Sequence, residues 1–163
     1  MDHDAMSVVR TYGADVLASE GMQQEKNLPH HGGVSCYDHS VSVAMVSVRI
    51  ARRLPFRVNM RSLVRGALLH DFYLYDWHVH DPLRAHRLHG FLHPGRAFRN
   101  ARAVLSVNKV ERDIILRHMF PLTPLPPRHR ESWIVTAADK YCTFRETVMA
   151  NPVFLENRRT TRE

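Results

Sequence analysis

Apolar residues recur at helical spacing along most of the chain, and no stretch of useful length alternates between apolar and polar positions. The spacing predicts a first helix over 5–20, although Gly13 weakens it. A loop is expected over about 21–35, because this stretch contains Pro29 and a pair of glycines. The pattern therefore favours an all-α fold.

A second helix is predicted from Ser35 to about Leu54. Ser35-x-x-Asp38 indicates a capping box that opens this helix, and Pro55 ends it. His39 begins a stripe of apolar residues at i, i+4 and i+7 spacing. Its side chain is therefore expected at the N-terminal end of a face that must be buried.

A third helix is predicted after Asn59, which can cap it, through the sequence RSLVRGALLHDF. His70 and Asp71 come at the C-terminal end of this helix. The next stretch, 74–92, is rich in Asp, His and Pro and has no clean period. We expect it to be irregular or to form a lid, with its histidines over 78–89.

Helix is expected again over 94–106, because a proline is favourable at the first position of a helix. This start puts His93 at a helix N-terminus. Asn108 then caps a short helix that carries His118 in its last turn. Both histidines are thus expected at helix ends.

A proline-rich loop is predicted over 121–128, since prolines at this density exclude a helix. A last long helix is predicted from about Glu131 to Ala150. Asp139 lies in its middle among apolar residues, and the residues after Pro152 indicate a frayed basic tail.

The length of 163 residues is about that of one domain. We therefore expect a single helical bundle of about six helices over 1–163, with a core at about 29–150 and a C-terminal tail at 151–163.

The two cysteines, Cys36 and Cys142, are too few for a disulfide framework. No apolar run approaches the roughly 18 residues that a membrane span requires. The first residues lack the basic and then apolar pattern of a secretory signal. These observations predict a cytoplasmic protein that does not enter a membrane.

The formal net charge is +7, which attracts phosphate-bearing partners. Nearly all of the positive charge is arginine, a bias that a genome rich in G and C also produces. The charges are scattered along the chain, whereas nucleic-acid binding requires them on one face with exposed aromatic residues. Nucleic acid is therefore compatible with the composition but not favoured, and a small phosphorylated substrate fits better.

Six residues stand where a predicted core face begins or ends, or inside an apolar helix: His39, His70, Asp71, His93, His118 and Asp139. A single histidine on an apolar face is more often a hydrogen-bonded core residue than a metal ligand. An ionised Asp inside an apolar helix is costly unless it is paired or coordinates a metal, so Asp139 needs a cationic partner. The six together indicate a metal site.

This pattern resembles the HD-domain superfamily of metal-dependent phosphohydrolases, whose ligands follow the order His, His-Asp and a distant Asp. The resemblance is carried by YDHSVSVA around His39, ALLHDF around His70 and Asp71, and AADKYC around Asp139. It covers roughly 29–147. It implies an HD-type helical bundle that binds divalent metal.

Two further segments, LHPGRAF with His93 and RHMFPLT with His118, resemble those of the subgroup that binds two metal ions. The resemblance implies that Asp71 bridges the ions and is the catalytic carboxylate. It also implies that His39, His70 and Asp139 complete the coordination of one ion, and that His93 and His118 complete that of the other. Imidazole and carboxylate ligands suit Fe, Mn, Zn, Ni or Co better than Ca.

Arg96 and Lys140 are candidates for binding a phosphoryl group. Arg96 is expected in the first turn of a helix, where a cation is tolerable mainly if an anion also binds. Lys140 follows Asp139 directly and resembles the Asp-Lys pair of the two-metal subgroup. The alternatives are a solvated surface arginine and a salt bridge from Lys140 to a nearby carboxylate.

His31 is a third candidate for substrate binding, because its glycine-flanked loop precedes the His39 helix and can reach the mouth of the site. An exposed loop histidine with no role is the alternative.

The predicted function is hydrolysis of a phosphomonoester or phosphodiester, with a nucleotide-like substrate favoured. Two metal ions at close range can hold a bridging hydroxide and stabilise both the attacking and the leaving oxygen. Two alternatives stay open. An HD-type di-iron oxygenase has the same six ligands, and a non-catalytic basic module would bind nucleic acid.

Overall fold

The computed structural model describes residues 2–30, 33–75 and 89–150. Within these ranges the chain forms α-helices joined by short connections, and the one β-type pairing is an isolated bridge between Pro29 and Ser35. The all-α prediction is confirmed. The helices are α1 (Asp2–Tyr12), α2 (Ala14–Leu17), α3 (Glu20–Gln24), α4 (Cys36–Arg53), α5 (Met60–Leu69), α6 (His89–Val104), α7 (Lys109–Arg117) and α8 (Arg130–Met149), with a 3-10 turn at Glu25–Asn27.

The predicted capping residues accept backbone amides at three helix starts, although at Ser35 the Asp38 side chain accepts from Ser35 Oγ instead of completing the predicted capping box. Ser35 Oγ accepts a hydrogen bond from the Asp38 backbone amide, and Asn59 Oδ1 accepts one from the Ser62 amide. Asn108 forms a complete capping box with Glu111. These side chains satisfy backbone donors that a helix start leaves unpaired.

The predictions for the N-terminal region are wrong in two respects. The helix expected over 5–20 is interrupted at Gly13, where a Cβ atom would overlap the Leu68 side chain of α5. The loop expected over 21–35 contains most of α3 and the 3-10 turn. Met22 and Glu25 are buried in this segment, so packing against the core imposes helical structure on it.

The prediction that helix resumes at Pro94 is also wrong, because α6 begins at His89. Pro94 is therefore inside the helix, in its second turn. A proline at this point removes one backbone hydrogen bond, near an end where several amides are unpaired in any case. The remainder of the irregular stretch, 76–88, and the tail after 150 lie outside the described residues.

Helices α4, α5 and α8 form the centre of the bundle. α4 packs against α5 and α8, while α7 packs against α5 and α8 from the other side and α6 packs on α7. The core between them is aliphatic, with Val43, Leu63, Leu68, Ile114 and Val135 all fully buried. No helix in the described ranges has both the length and the apolar character needed to cross a membrane.

Arg65 is a buried cation within this core. Its Nε lies 2.9 Å from Glu111 Oε1, its Nη2 donates to the Ser106 carbonyl, and it also pairs with Asp15. Glu111 is itself buried, and its other oxygen accepts from the Asn108 amide at the start of α7. One ion pair therefore connects α5 to the N-terminus of α7.

Replacing Arg65 with Met should lower the free energy of unfolding by about 3–5 kcal/mol, because Glu111 would remain buried without its cation. Urea unfolding followed by circular dichroism measures the loss. Arg52→Met is the matched control, since Arg52 pairs with Asp4 at the surface and should contribute less than about 1 kcal/mol. Equal losses in the two variants would contradict the buried role of Arg65.

Gly66 permits the close approach of α5 and α7, because a Cβ atom there would overlap Ile114. His70 and His118 follow these two residues by one helical turn each. Their rings lie with centroids 4.9 Å apart, so the spacing at Gly66 and Ile114 also sets the spacing of the two histidines.

Gly66→Ala should therefore destabilise the fold by about 1–3 kcal/mol through overpacking. Gly95→Ala is the control, because the Cβ position at Gly95 has no atom within 4 Å. That variant should be neutral or more stable by up to about 1 kcal/mol, as expected for alanine in a helix. Thermal unfolding of both variants measures the difference, and two stable variants would show that the contact is not tight.

Candidate metal centre

The six residues singled out from the sequence converge at one place in the bundle. Each is buried, although the six come from five separate helices or helix ends. His39 lies in the first turn of α4, His70 and Asp71 at the end of α5, His93 in α6, His118 at the end of α7, and Asp139 in the middle of α8.

The first part of the cluster is built around Asp139. His39 Nε2 lies 3.2 Å and His70 Nε2 lies 3.6 Å from Asp139 Oδ1. His70 Nε2 is also 3.5 Å from Asp71 Oδ2. One ligand atom each from His39, His70 and Asp139 lies within 4.8 Å of the other two, and the same holds for His70, Asp71 and His118, so either group could hold a metal ion.

The second part of the cluster is built on the other oxygen of Asp71. His93 Nε2 lies 3.1 Å and His118 Nε2 lies 3.5 Å from Asp71 Oδ1. The two Nε2 atoms are only 2.8 Å from each other. The two oxygens of Asp71 therefore face different pairs of residues.

The orientations of His70 and His118 follow from their positions at helix ends. His70 Nδ1 lies 2.7 Å from the Ala67 carbonyl, and His118 Nδ1 lies 2.9 Å from the Ile115 carbonyl. These carbonyls are among the last of their helices and have no partner within the helix. If Nδ1 donates there, the lone pair of Nε2 faces the cluster in both residues.

The carboxylates of the cluster are held in the ionised state. Burial by itself would raise the pKa of Asp71, but His70 and His93 outweigh this effect and keep the pKa well below its usual range. Burial acts in the same sense on Asp139, and His39 and His70 keep its pKa well below normal. The cluster therefore requires compensating positive charge.

In the protein alone, part of this charge falls on His70. Burial would lower its pKa, but Asp71 and Asp139 outweigh burial and raise the pKa to about 9. His70 Nε2 nevertheless has no hydrogen-bond partner among the described residues. A divalent cation would supply the charge and use the nitrogen lone pairs, so the donor set fits a transition-metal ion.

Arg96 and Lys140 lie beside the cluster rather than in it. Arg96 is in the second turn of α6, so the argument from a first-turn position does not hold; its guanidinium lies 4.8 Å from the centroid of the Tyr75 ring. Lys140 Nζ donates to the His118 carbonyl at 3.1 Å, which closes the end of α7, and burial lowers its pKa. His31 lies outside the described residues.

Two residues of the cluster were missed from the sequence. His30, the neighbour of His31, is buried with Nε2 3.2 Å from Asp71 Oδ2. Glu146 Oε2 lies 2.9 Å from His39 Nδ1. Glu146 follows Asp139 by seven residues, which puts both on one face of α8, so helical spacing contained a signal for it.

A family model for the HD domain matches residues 36–143. The matched range begins with the first residue of α4 and ends in α8, so it contains all six residues predicted as ligands. No curated protein and no solved structure shows significant similarity to the chain. Because the matched range covers more than half of the sequence, the chain belongs to the HD domain family.

Proposed function

We propose that this protein is a phosphohydrolase that uses two divalent transition-metal ions. The HD domain superfamily consists largely of metal-dependent phosphohydrolases. The proposal rests on the two carboxylate oxygens of Asp71, which face different histidines. Oδ2 faces His70, whereas Oδ1 faces His93 and His118. A short carboxylate with imidazoles on both sides is the arrangement that a bridging ligand requires.

The residues divide into two ligand groups. His39, His70 and Asp139, together with Asp71 Oδ2, would hold the first ion. His93 and His118, together with Asp71 Oδ1, would hold the second. When bound, such a pair of ions lowers the pKa of a water between them and neutralises the charge on phosphoryl oxygens.

The side chains around the two positions orient the ligands and exclude water. His70 and His118 are held through Nδ1 by backbone carbonyls, which keeps each Nε2 directed at its position. Lys140 anchors the His118 carbonyl and so maintains the end of α7. In this proposal Lys140 also places positive charge near the phosphoryl group.

Arg96 is the second cation proposed to contact the phosphoryl group. It lies one turn beyond His93 on α6, and its guanidinium is kept in place by the Tyr75 ring. Charged hydrogen bonds to an anion contribute about 1.5–3 kcal/mol.

The central test is elemental analysis together with phosphate release from a panel of nucleotides and phosphomonoesters in the presence of Mn or Co. We expect about two ions per chain. Asp71→Asn should lower the metal content and reduce kcat/KM at least about 100-fold, since several kcal/mol of charge stabilisation are lost. Asp38→Asn, an exposed position one residue before His39, is the control and should leave both quantities unchanged.

Protein that binds no metal when supplied with Mn, Fe or Co would overturn the proposal. Iron with an electron paramagnetic signal after partial reduction, combined with oxygen consumption and no phosphate release, would instead assign the di-iron oxygenase. Binding to nucleic acid that weakens steeply with salt, without metal or turnover, would assign the basic module.

Arg96→Met should reduce kcat/KM about 10–100-fold while the metal content stays the same, because one charged contact to the phosphoryl group is lost. Arg99→Met is the matched control, since Arg99 is exposed on the same helix. Steady-state kinetics on the best substrate of the panel measures both. A metal content that falls in Arg96→Met would show that the residue supports the centre rather than the substrate.

A further inference from the structure

His30 is held in place by backbone contacts on both sides of a short loop. Its amide donates to the Val34 carbonyl at 2.8 Å, and the Cys36 amide donates to the Leu28 carbonyl at 2.9 Å. The bridge between Pro29 and Ser35 lies between these bonds. The His30 side chain therefore enters the cluster from a segment that is fixed to the start of α4.

The His30 ring lies on the His39 ring, with centroids 3.9 Å apart and planes 21° from parallel. Glu146 Oε2 is hydrogen-bonded to His39 Nδ1 at 2.9 Å and lies 3.8 Å from His30 Nδ1. The two Nε2 atoms each lie 3.2 Å from a carboxylate oxygen of the first ion position, Asp139 Oδ1 for His39 and Asp71 Oδ2 for His30. The His30 ring therefore lies nearly parallel to that of His39, with its Nε2 at the same distance from a carboxylate of the cluster.

A carboxylate that accepts from Nδ1–H selects the tautomer whose Nε2 carries a lone pair. His39 meets this condition, because its Nδ1 lies 2.9 Å from Glu146 Oε2, so its Nε2 lone pair faces Asp139 Oδ1. His30 Nδ1 lies 3.8 Å from the same oxygen, which is too long for a hydrogen bond, so this contact does not fix the His30 tautomer. The case for His30 rests on its buried Nε2, which lies 3.2 Å from Asp71 Oδ2, the oxygen assigned to the first ion position.

Two buried carboxylates also flank His30. Asp71 Oδ2 lies 3.2 Å from its Nε2, and Glu146 Oε2 lies 3.8 Å from its Nδ1. Glu25 is buried nearby, but burial and the charge of Asp71 raise its pKa well above the usual range and so disfavour its ionised form. A cation beside His30 would compensate the charge of Asp71 and Glu146.

We propose that His30 is a seventh side-chain ligand of the metal centre, bound through Nε2 at the first ion position. Glu146 is a positioning residue that holds His39 through Nδ1 and lies beside the stacked His30 ring. This inference rests on the first ion position of the proposed function.

The seventh ligand makes the two positions unequal. The first then has three imidazoles and two carboxylates, whereas the second has two imidazoles and one carboxylate. An ion at the second position would therefore have fewer protein ligands and more room for other ligands than an ion at the first. The phosphoryl group of a substrate would bind mainly at the side of His93 and His118.

The test uses the full chain loaded with Co(II). A histidine bound through Nε2 gives one paramagnetically shifted, solvent-exchangeable Nδ1–H resonance in the proton NMR spectrum. We expect five such resonances in the unmodified protein and four in His30→Gln. Chelator competition should show that His30→Gln lowers the binding affinity for one of the two ions by about 10–100-fold and leaves the affinity for the other unchanged.

His129→Gln is the matched control for His30→Gln, because the His129 side chain lies at the start of α8 and forms no cap hydrogen bond. It should keep all five resonances. Circular dichroism of each variant confirms the fold.

Glu146→Gln tests the positioning role and retains the shape of the side chain. It should shift or broaden the resonances of His30 and His39 only. It should also lower the binding affinity for the same ion by about 10–100-fold. Glu20→Gln, at an exposed position, is its control.

Four resonances in both the unmodified protein and His30→Gln would overturn the assignment of His30. If Glu146→Gln left every resonance in place, the positioning role would be overturned. Failure of the proposed function gives a different result, since Co(II) would bind without phosphate release while the five resonances persisted. If no Co(II) bound at all, both the function and this inference would fall.

Discussion

The burial of one short carboxylate, Asp71, is the constraint on which the rest of the structure depends. It is 5% exposed and has imidazoles on both of its oxygens. An ionised group in this position is tolerable only if positive charge surrounds it. The ends of α4, α5 and α7 and part of α6 place imidazoles there, which provide that charge as imidazolium groups or bind cations, while α8 adds a second carboxylate, Asp139.

The helix ends near the cluster also affect the pairing of buried backbone groups. A helix terminus leaves backbone groups without partners, and these are costly when buried. His70 and His118 occupy the ends of α5 and α7 and use carbonyls there to fix their rings. Because Gly66 brings the two helices together one turn earlier, the unpaired carbonyls become supports for a shared ligand cluster.

The surroundings of the cluster differ between its two sides. On one side, His30, His39 and Glu146 form a dense buried group with stacked rings. On the other side, His93 lies near Tyr73, and Arg96 lies over Tyr75 in a less buried region. The cluster therefore has buried imidazoles and a buried carboxylate on one side and a half-buried cation, Arg96, near the other.

The sequence by itself determined the all-α class, the caps at Ser35, Asn59 and Asn108, and the order of the predicted ligands, because these depend on local spacing and side-chain chemistry. It did not determine the break at Gly13 or the start of α6, since packing against distant helices overrides local preference there. The place of His30 was also beyond it. A histidine in a glycine-flanked loop has no local signal for burial, and only the path of the backbone through the bridge at Pro29 and Ser35 decides that His30 enters the cluster.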